Sequence, residues 1–308
     1  MQQERVTPEG IMERGSIGSR TARTKSALLE FGRSHPTGAA GGVVLGVIIL
    51  LVALAPVISP FRFDRTVARQ LLPPLSEATL EEGTLWLGTD ELGRDLVSRL
   101  LYGGRVSMFV GIMSPLIGVA FGTVLGIASA YFGKLFDLLV QRLVDTVLIL
   151  PGIVVAMTIT VAFGFTVPVV IAALAVSYSA SSVRVVRSRA LTLSEMQYVE
   201  AARAIGSTDT RIIFRHLVPN SLPVSMVLIA VSVGAAITAE AALSFLGIGI
   251  QPPIPSWGNM LTRAQQSFDL APHIAIAPGL AITLVVLAIN LFGDSLRDVL
   301  DPRLRNVR

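Results

Sequence analysis

Few residues of this chain could carry out chemistry. The 308 residues include no cysteine, and the three histidines are far apart in the sequence. The absence of cysteine excludes disulfides, thiolate metal sites and cysteine nucleophiles, and the spacing of the histidines does not favour a metal site. The phosphate-binding pattern G-x-x-x-x-G-K-[ST] does not occur, since Gly133-Lys134 is followed by leucine and has no upstream glycine. We therefore expect no ATP site and no catalytic residue here, so that any energy from ATP must come through another subunit.

The most informative stretch covers residues 191–219. Its pattern predicts a helix, a turn at Gly206 and a second helix. Glycine suits a helix C-cap that needs a positive φ angle. Ser207 or Thr208 can cap the second helix, and Pro219 is predicted to end it.

Both predicted helices have an apolar face. At 100° per residue, the face of the first helix contains Leu191, Tyr198, Ala202 and Ile205, and that of the second contains Ile213, Phe214 and Leu217. The small side chains of Ala201 and Ala202 would also let another backbone come close. Such a helix pair fits a groove of a partner protein as well as a layer of lipid headgroups, and the residues alone do not decide between the two.

Two acidic residues lie within or at the edge of long apolar stretches. A charge at the position of Glu240 would cost ~3 kcal/mol in a membrane helix, so its side chain should face the bundle interior or water. Two interpretations stay open for Glu240: a residue of a translocation pathway that binds an amine, or a protonated or hydrogen-bonded packing residue. Asp145 lies one turn from Arg142, which predicts a local ion pair.

The elements that must position these residues are membrane helices. Hydrophobic residues make up 52% of the chain and charged residues 15%, against about 25% charged residues in soluble domains. The mean hydropathy is +0.68. A membrane span needs about 20 apolar residues, and six stretches qualify: Gly38–Ile58, Val106–Phe132, Leu138–Phe163, Val167–Val186, Leu222–Ile248 and His273–Phe292. We therefore expect an all-α integral membrane protein with six transmembrane helices, and we expect Pro115 and Pro151 to kink two of them.

The distribution of basic residues predicts the orientation. Of the 25 lysine and arginine residues, 18 lie in segments on the same side as the N-terminus and seven on the opposite side. By the positive-inside rule both termini are predicted to be cytoplasmic. The net charge of +4 is therefore interpreted as a topology signal and not as a sign of nucleic-acid binding.

The first span raises the question of processing. Ala53-Leu54-Ala55 after a basic leader resembles a signal-peptidase site. The length of the leader, residues 1–37, and Pro56 directly after the candidate site favour an uncleaved signal-anchor. The leader itself is predicted to be flexible and solvated.

Glu200-Ala201-Ala202, three residues, Gly206, nine residues and His216-Leu217-Val218-Pro219 together resemble the EAA signature of ABC importer permeases. The general form has isoleucine and leucine at positions 216 and 218, and the segment 211–220 looks like the dipeptide/oligopeptide branch, where histidine is ordinary. In that family this segment forms coupling helices that sit in a cleft of the ATPase subunit. The resemblance implies an ATPase-coupling role for Glu200, Ala201, Ala202, Arg203, Gly206 and Pro219.

Three further segments are similar to the same branch. Residues 87–100 resemble its GTDxxGRD segment, residues 241–261 form a second long match, and residues 293–303 resemble its GDxLRDxLDPR ending. Locally, Thr89 is predicted to cap an external helix that Asp–Arg pairs hold in place, and Trp257 is predicted to be an interfacial anchor. The residues of these segments resemble those of the C-type and not of the B-type permease.

The resemblance implies a type I importer permease with a MetI-like core of spans 2–6, in a bacterial inner membrane. It implies as partners a second homologous permease that completes a heterodimer, two cytoplasmic ATPases that bind ATP and Mg²⁺, an extracytoplasmic substrate-binding protein and membrane lipid, with no nucleic acid, metal or cofactor of this chain's own. The predicted units are the tail 1–37, the first helix with its extracytoplasmic segment 38–105, the core 106–293 with the coupling segment 187–219, and the tail 294–308.

The function implied is ATP-driven import of dipeptides or oligopeptides by a subunit that is not itself an enzyme. Import of nickel chelates or glutathione-like molecules by the same kind of complex stays open. An ion-coupled secondary carrier is a further alternative, which the scarcity of acidic residues in the spans disfavours. A scaffold subunit that moves nothing is disfavoured by the coupling motif.

Overall fold

The computed structural model describes the backbone of residues 34–300 and the side chains of residues 34–295. This part of the chain is a helical bundle with one short β-hairpin. In chain order its elements are α1 Pro36–Ala53, α2 Ala55–Ile58, β1 Ser76–Glu77, β2 Thr84–Leu85, α3 Leu96–Phe132, α4 Lys134–Ile149, α5 Gly152–Phe163, α6 Val167–Ser194, α7 Gln197–Ala204, α8 Asp209–Ile212, a π-helical turn Ile213–Leu217, α9 Val218–Phe245, α10 Trp257–Ala264, a 3₁₀ turn Gln265–Ser267 and α11 His273–Leu300. The predicted flexible leader lies, except for its last four residues, outside the described residues.

The long helices confirm the all-α membrane architecture. Among the described residues, five helical stretches are long and apolar enough to cross a membrane, and α4 with α5 could form a sixth. Several of the predicted helices are longer than the apolar stretches that predicted them. α3 begins at Leu96 and not at Val106, and α6 continues to Ser194, beyond Val186.

The third predicted span is not one helix. Instead of a continuous helix over Leu138–Phe163, α4 and α5 meet at an angle of 94°. Pro151 has no N–H group to continue the hydrogen-bond ladder, and it holds Leu150 in an extended conformation with φ −87° and ψ 140°. Pro151 therefore breaks the helix where only a kink was expected, whereas α3 continues through Pro115.

Two ion pairs join α4 to α6. The Nη2 atom of Arg184 lies 2.7 Å from Asp145 Oδ1, and the Nε atom of Arg187 lies 2.6 Å from Asp137 Oδ1. The predicted local pair of Asp145 with Arg142 is therefore wrong, because the facing helix offers Asp145 a closer cation.

The prediction that Pro219 ends a helix is also wrong. α8, the π-helical turn and α9 form one helical stretch over Asp209–Phe245. Pro219 lies in the first turn of α9, where a missing N–H group is tolerated. In the wider turn before it, the Val218 N–H group donates to the Ile213 carbonyl, and the Asn220 amide donates to the His216 carbonyl at 2.7 Å. The segment that contains α8 and the π-helical turn therefore continues directly into the fifth span.

Glycines set the closest helix contact of the bundle, between α3 and α6. Gly118, Gly122 and Gly126 lie four residues apart and so share one face of α3. Cβ atoms at these positions would lie 2.5, 2.6 and 2.7 Å from the carbonyl oxygens of Ala175, Ser179 and Val183, respectively. Only glycine allows this approach, which resembles the small-residue packing of membrane helices in general.

A buried ionic cluster fixes the segment between α2 and α3, residues 59–95. The Asp90 carboxylate accepts a 2.7 Å hydrogen bond from Arg94 Nε and lies 3.2 Å from Arg99 Nε. Both arginine side chains are at most 6% exposed. Arg99 also donates to the Phe63 carbonyl at 3.2 Å. The expected Asp–Arg pairs are present, but they hold a loop and not a helix.

The helix start in this region differs from the prediction. Asp95, and not Thr89, caps a helix, because its Oδ2 atom accepts from the Ser98 N–H group at 2.7 Å and α3 begins at the next residue. The Thr89 hydroxyl donates instead to the Arg69 carbonyl at 2.7 Å.

Trp257 at the start of α10 is buried and is not an interfacial anchor. Its side chain is 2% exposed and packs with Val52, Leu96 and Ile274. Its indole N–H group donates to the Leu100 carbonyl at 2.9 Å. The loop between α9 and α11 therefore folds back into the bundle.

We expect Gly122→Leu to destabilise the protein, because the new side chain would push α3 away from α6. Overpacking of this kind costs about 3 kcal/mol or more, which corresponds to a Tm roughly 5–10 °C lower. The measurement is the temperature at which the detergent-purified protein loses its size-exclusion peak. Gly46→Leu is the matched control, since a Cβ atom there meets nothing within 4 Å. Equal Tm values for the two variants would contradict the packing argument.

Candidate functional site

The turn between α7 and α8 is a helix C-cap built around glycine. Gly206 has a φ angle of +79°. Its N–H group donates to the Arg203 carbonyl, and the N–H group of Ser207 donates to the Ala202 carbonyl, each at 3.0 Å. These two bonds define a Schellman motif, which requires a left-handed residue at the position of Gly206. The predicted turn is confirmed.

The second short helix is linked to the C-terminal end of α3. Thr208 caps α8, as one of the two predicted candidates, by accepting a 3.4 Å hydrogen bond from the Arg211 N–H group. Asp209 in the first turn of α8 accepts a 2.6 Å hydrogen bond from the Tyr131 hydroxyl. The guanidinium carbon of Arg203 lies 5.3 Å from the centre of the Tyr131 ring, within the range of a cation–π contact.

The inner face of the helix pair is buried against membrane helices. Val199 and Ala202 of α7, Ile212 of α8 and Leu217 of the π-helical turn are at most 6% exposed. They pack with apolar residues of α3 and α6, namely Ile127, Val186, Ala190 and Leu193. The pair is therefore joined to three helices, since α9 follows it without a break.

The predicted apolar face of the first helix was only partly right. Ala202 is buried, but Tyr198 is 41% exposed and Ile205 is 83% exposed. The 100° periodicity does not extend from Leu191 to Ile205, because α6 ends at Ser194 and Met196 is extended, with φ −74° and ψ 141°.

The outer side of the pair combines apolar and charged groups. We call it the docking face and define it by its exposed residues Glu200, Ala201, Arg203, Ile205, Gly206 and Phe214. Ile205 and Phe214 expose 83% and 66% of their surface. Pro219 is exposed beside it, in a shallow groove that also includes Arg211 and Arg215. An apolar surface of this kind beside a small residue suits a partner protein.

Glu240 lies far from this face and is completely buried in α9. Its carboxyl oxygens each accept a 2.8 Å hydrogen bond, from Ser107 of α3 and from Ser244. The Ser107 hydroxyl accepts a hydrogen bond from the backbone N–H group of Trp257, and the Ser244 hydroxyl accepts one from the backbone N–H group of Ile250, each at 3.1 Å. The network joins α3, α9 and the start of α10, which is the geometry of the packing interpretation.

The structure thus brings five of the six predicted coupling residues together in α7 and its C-terminal turn, with Pro219 at the far end of the same segment. Glu240 follows Pro219 by 21 residues of one helix, or about 32 Å. Sequence reasoning missed Tyr131. Its only sequence signal was a polar group at the end of an apolar stretch. Among the side chains of residues 34–295, no three acidic or histidine groups lie close enough together to hold a metal ion.

Comparison with known proteins gives two family matches. Residues 122–306 match the model of the binding-protein-dependent transport system inner membrane component, and residues 31–74 match the N-terminal transmembrane domain of oligopeptide transport permease C.

Relatives agree with these matches. A glutathione transport system permease protein of Pectobacterium atrosepticum is 43% identical over 221 residues, which cover 72% of this chain and 73% of the relative. A putative peptide transport system permease protein of Brucella abortus is 41% identical over 271 residues, or 88% of this chain and 89% of the relative. The chain therefore belongs to the inner membrane components of binding-protein-dependent transport systems, in the peptide branch of the ABC importer permeases.

Proposed function

We propose that this chain is the translocation subunit of an ATP-driven importer for dipeptides or oligopeptides, and that the docking face receives the ATPase movement. The observation that carries the proposal is the unbroken helix from α8 through the π-helical turn into α9. A force on α8 acts directly on a membrane helix, because no loop lies between α8 and α9, and the hydrogen-bonded turn at Gly206 connects α7 to α8.

The contacts of the helix pair support this role for Glu200, Ala201, Ala202, Arg203, Gly206 and Pro219. Ala202 packs inward against α6, while Ala201 beside it offers a surface without side-chain bulk. The Schellman motif at Gly206 holds α7 and α8 at a fixed angle. The pair can therefore move as one body and carry α6 and α9 with it. For Glu240 we propose the packing role, in view of its two serine donors.

Family membership implies an ATPase and a binding protein as partners. We propose the specific assembly of two related permeases, two cytoplasmic ATPases that bind ATP and Mg²⁺, and one extracytoplasmic binding protein. This subunit then has no ATPase site of its own and lies in the inner membrane with both termini in the cytoplasm. The excess of basic residues on that side supports the orientation.

Glutathione-like cargo is the second candidate. The permease of Pectobacterium atrosepticum is named for glutathione, whereas the Brucella relative is named for peptides. Glutathione is itself a peptide-like molecule with amide, ammonium and carboxylate groups, so both cargoes demand the same chemistry of the pathway.

Gly206→Val tests the coupling role. A β-branched residue at a φ angle of +79° is strained by roughly 1–2 kcal/mol, although its Cβ atom would meet no neighbour within 4 Å. We expect the complex to assemble and hydrolyse ATP, but to accumulate labelled dipeptide or glutathione at least tenfold more slowly.

The matched control is Gly164→Val. Gly164 also has a positive φ angle, +103°, and open space around it, but it lies between α5 and α6. Uptake by the Gly206 variant at the rate of this control would contradict the coupling role.

Tyr131→Phe tests the link between α8 and α3. The variant keeps the ring under Arg203 and loses the hydrogen bond to Asp209. Since such a bond contributes about 0.5–1.5 kcal/mol, we expect two- to tenfold less cargo moved per ATP hydrolysed by the purified complex in liposomes. Tyr102→Phe, near the other end of α3, is the control. An unchanged ratio in the Tyr131 variant would show that the contact transmits nothing.

The whole proposal is tested by isolating the chain from its native membranes in mild detergent and identifying the proteins that accompany it. We expect a second permease, an ATPase and a binding protein. The cargo is then identified by measuring which of four ligand types the binding protein binds: dipeptides, longer peptides, glutathione or nickel chelates. Recovery of the chain alone, under conditions that keep other membrane complexes intact, would contradict an ABC importer and favour an autonomous carrier.

A further inference from the structure

One face of α6 is polar and exposed. Ser181, Arg184 and Ser188 are exposed and Ser177 is half-buried. Their spacing of four, three and four residues places them on the same side of the helix. Ser177 lies about 15 Å and Ser188 about 31 Å from the start of α6 at Val167. This polar stripe therefore extends from the middle of the membrane to the end of the span.

The exposed surface of the neighbouring helix α3 is different. Its exposed large side chains in the span are all apolar: Phe109, Ile112, Leu116, Ile117, Phe121 and Val124. Phe121 lies at the depth of the stripe, because its neighbour Gly122 contacts Ser179 and Ser182 of α6. Lipid suits the surface of α3 but not the stripe, because the stripe includes the exposed charge of Arg184, and a charged group in a span faces water or protein.

The break between α4 and α5 lies beside this stripe. The Ser177 hydroxyl donates to the Gly152 carbonyl at 3.2 Å, which places the break near the middle of the membrane. Ile149 is 79% and Leu150 49% exposed. Pro151 cannot donate, and in the described chain no backbone hydrogen bond crosses the break to the last carbonyls of α4. Hydrocarbon offers these carbonyls no partner, so non-helical backbone at this depth lies against protein or lines a water-filled cavity.

An exposed ion pair continues the same surface. Arg184 of the stripe pairs with Asp145 of α4 at 2.7 Å, with side chains that are 57% and 43% exposed. A half-exposed ion pair favours water over a dry contact between subunits, because a dry contact would remove the hydration of both charges.

We propose that the stripe and the α4–α5 break form this subunit's wall of the cytoplasmic half of the translocation pathway. The wall takes a hydrated solute rich in hydrogen-bonding groups. Carbonyl oxygens at the break accept from amide or ammonium groups, Arg184 meets a carboxylate and Asp145 meets an ammonium group, which matches a peptide-like cargo. The inference rests on the proposed transport function and assigns the wall to α4–α6, away from the buried Glu240.

The natural absence of cysteine allows a direct test. Ser177→Cys, Ser181→Cys and Ser188→Cys are introduced singly into the native gene, so that all partners are present. Inside-out membrane vesicles are treated with a positively charged, membrane-impermeant methanethiosulfonate reagent, and labelling of this chain is measured by mass. We expect the cysteines at positions 177 and 181 to react at least tenfold faster than those of the controls Val176→Cys and Phe121→Cys, which are exposed at similar depth outside the stripe. The cysteine at position 188, at the end of the span, is the positive control for access of the reagent.

Each outcome decides the inference. Fast labelling of the stripe supports the wall, and labelling no faster than in the controls overturns it. Stripe cysteines that react only after detergent has separated the two permeases also overturn it, because the surface is then a subunit interface. The labelling needs neither ATP nor cargo. Slow labelling of the stripe together with intact ATP-driven uptake would therefore contradict this inference alone. Fast labelling in a chain that recruits no ATPase would contradict the proposed importer and leave the inferred wall in place.

Discussion

The rest of the structure depends on one constraint, which is that hydrocarbon supplies no hydrogen-bond partners. Helices satisfy it for the backbone, and their hydroxyl groups satisfy it by bonding back to the same helix. Ser114, Thr123 and Thr160 donate to carbonyls one turn earlier, as do Ser181 and Ser182 of α6. Serine in a span is therefore not by itself evidence of a pathway. The break at Pro151 is different, because the same rule makes an irregular backbone at this depth expensive unless water or protein covers it.

The same constraint explains how α8 and the π-helical turn are joined to the membrane helix α9. A proline at the junction of the segment with the fifth span would ordinarily allow a hinge. In the π-helical turn the Val218 N–H group donates to the Ile213 carbonyl, and the Asn220 side-chain amide donates to the His216 carbonyl, so hydrogen bonding continues on both sides of Pro219 and the helix is not interrupted. The inner face of the helix pair is apolar and close-packed, and packed interiors transmit displacement with little compression. The continuity of the helix at this junction is thus a property of local hydrogen bonding, in which the π-helical turn takes part.

Much of this arrangement follows from the sequence, and the failures have a common cause. Composition and run length predicted the spans, and a local rule predicted the turn at Gly206, because both depend on neighbouring residues. The Trp257 prediction failed because its partner, Leu100, is 157 residues away. Glu240 and Ser107 are 133 residues apart, and Tyr131 and Asp209 are 78 apart. Thr89 and Asp95 are both good caps, and only the tertiary contact of Thr89 with Arg69 decides between them.

The two sides of α6 differ in how firmly they hold their neighbours. Toward α3, glycines bring backbone against backbone, so that the two helices cannot slide without collision. Toward α4, the polar contacts are two ion pairs, which water can replace at small cost. We infer that α3 and α6 form one rigid pair, while α4 can shift relative to them. Since α4 ends at the break, such a shift changes the width of the polar surface without disturbing the glycine contact that holds the bundle together.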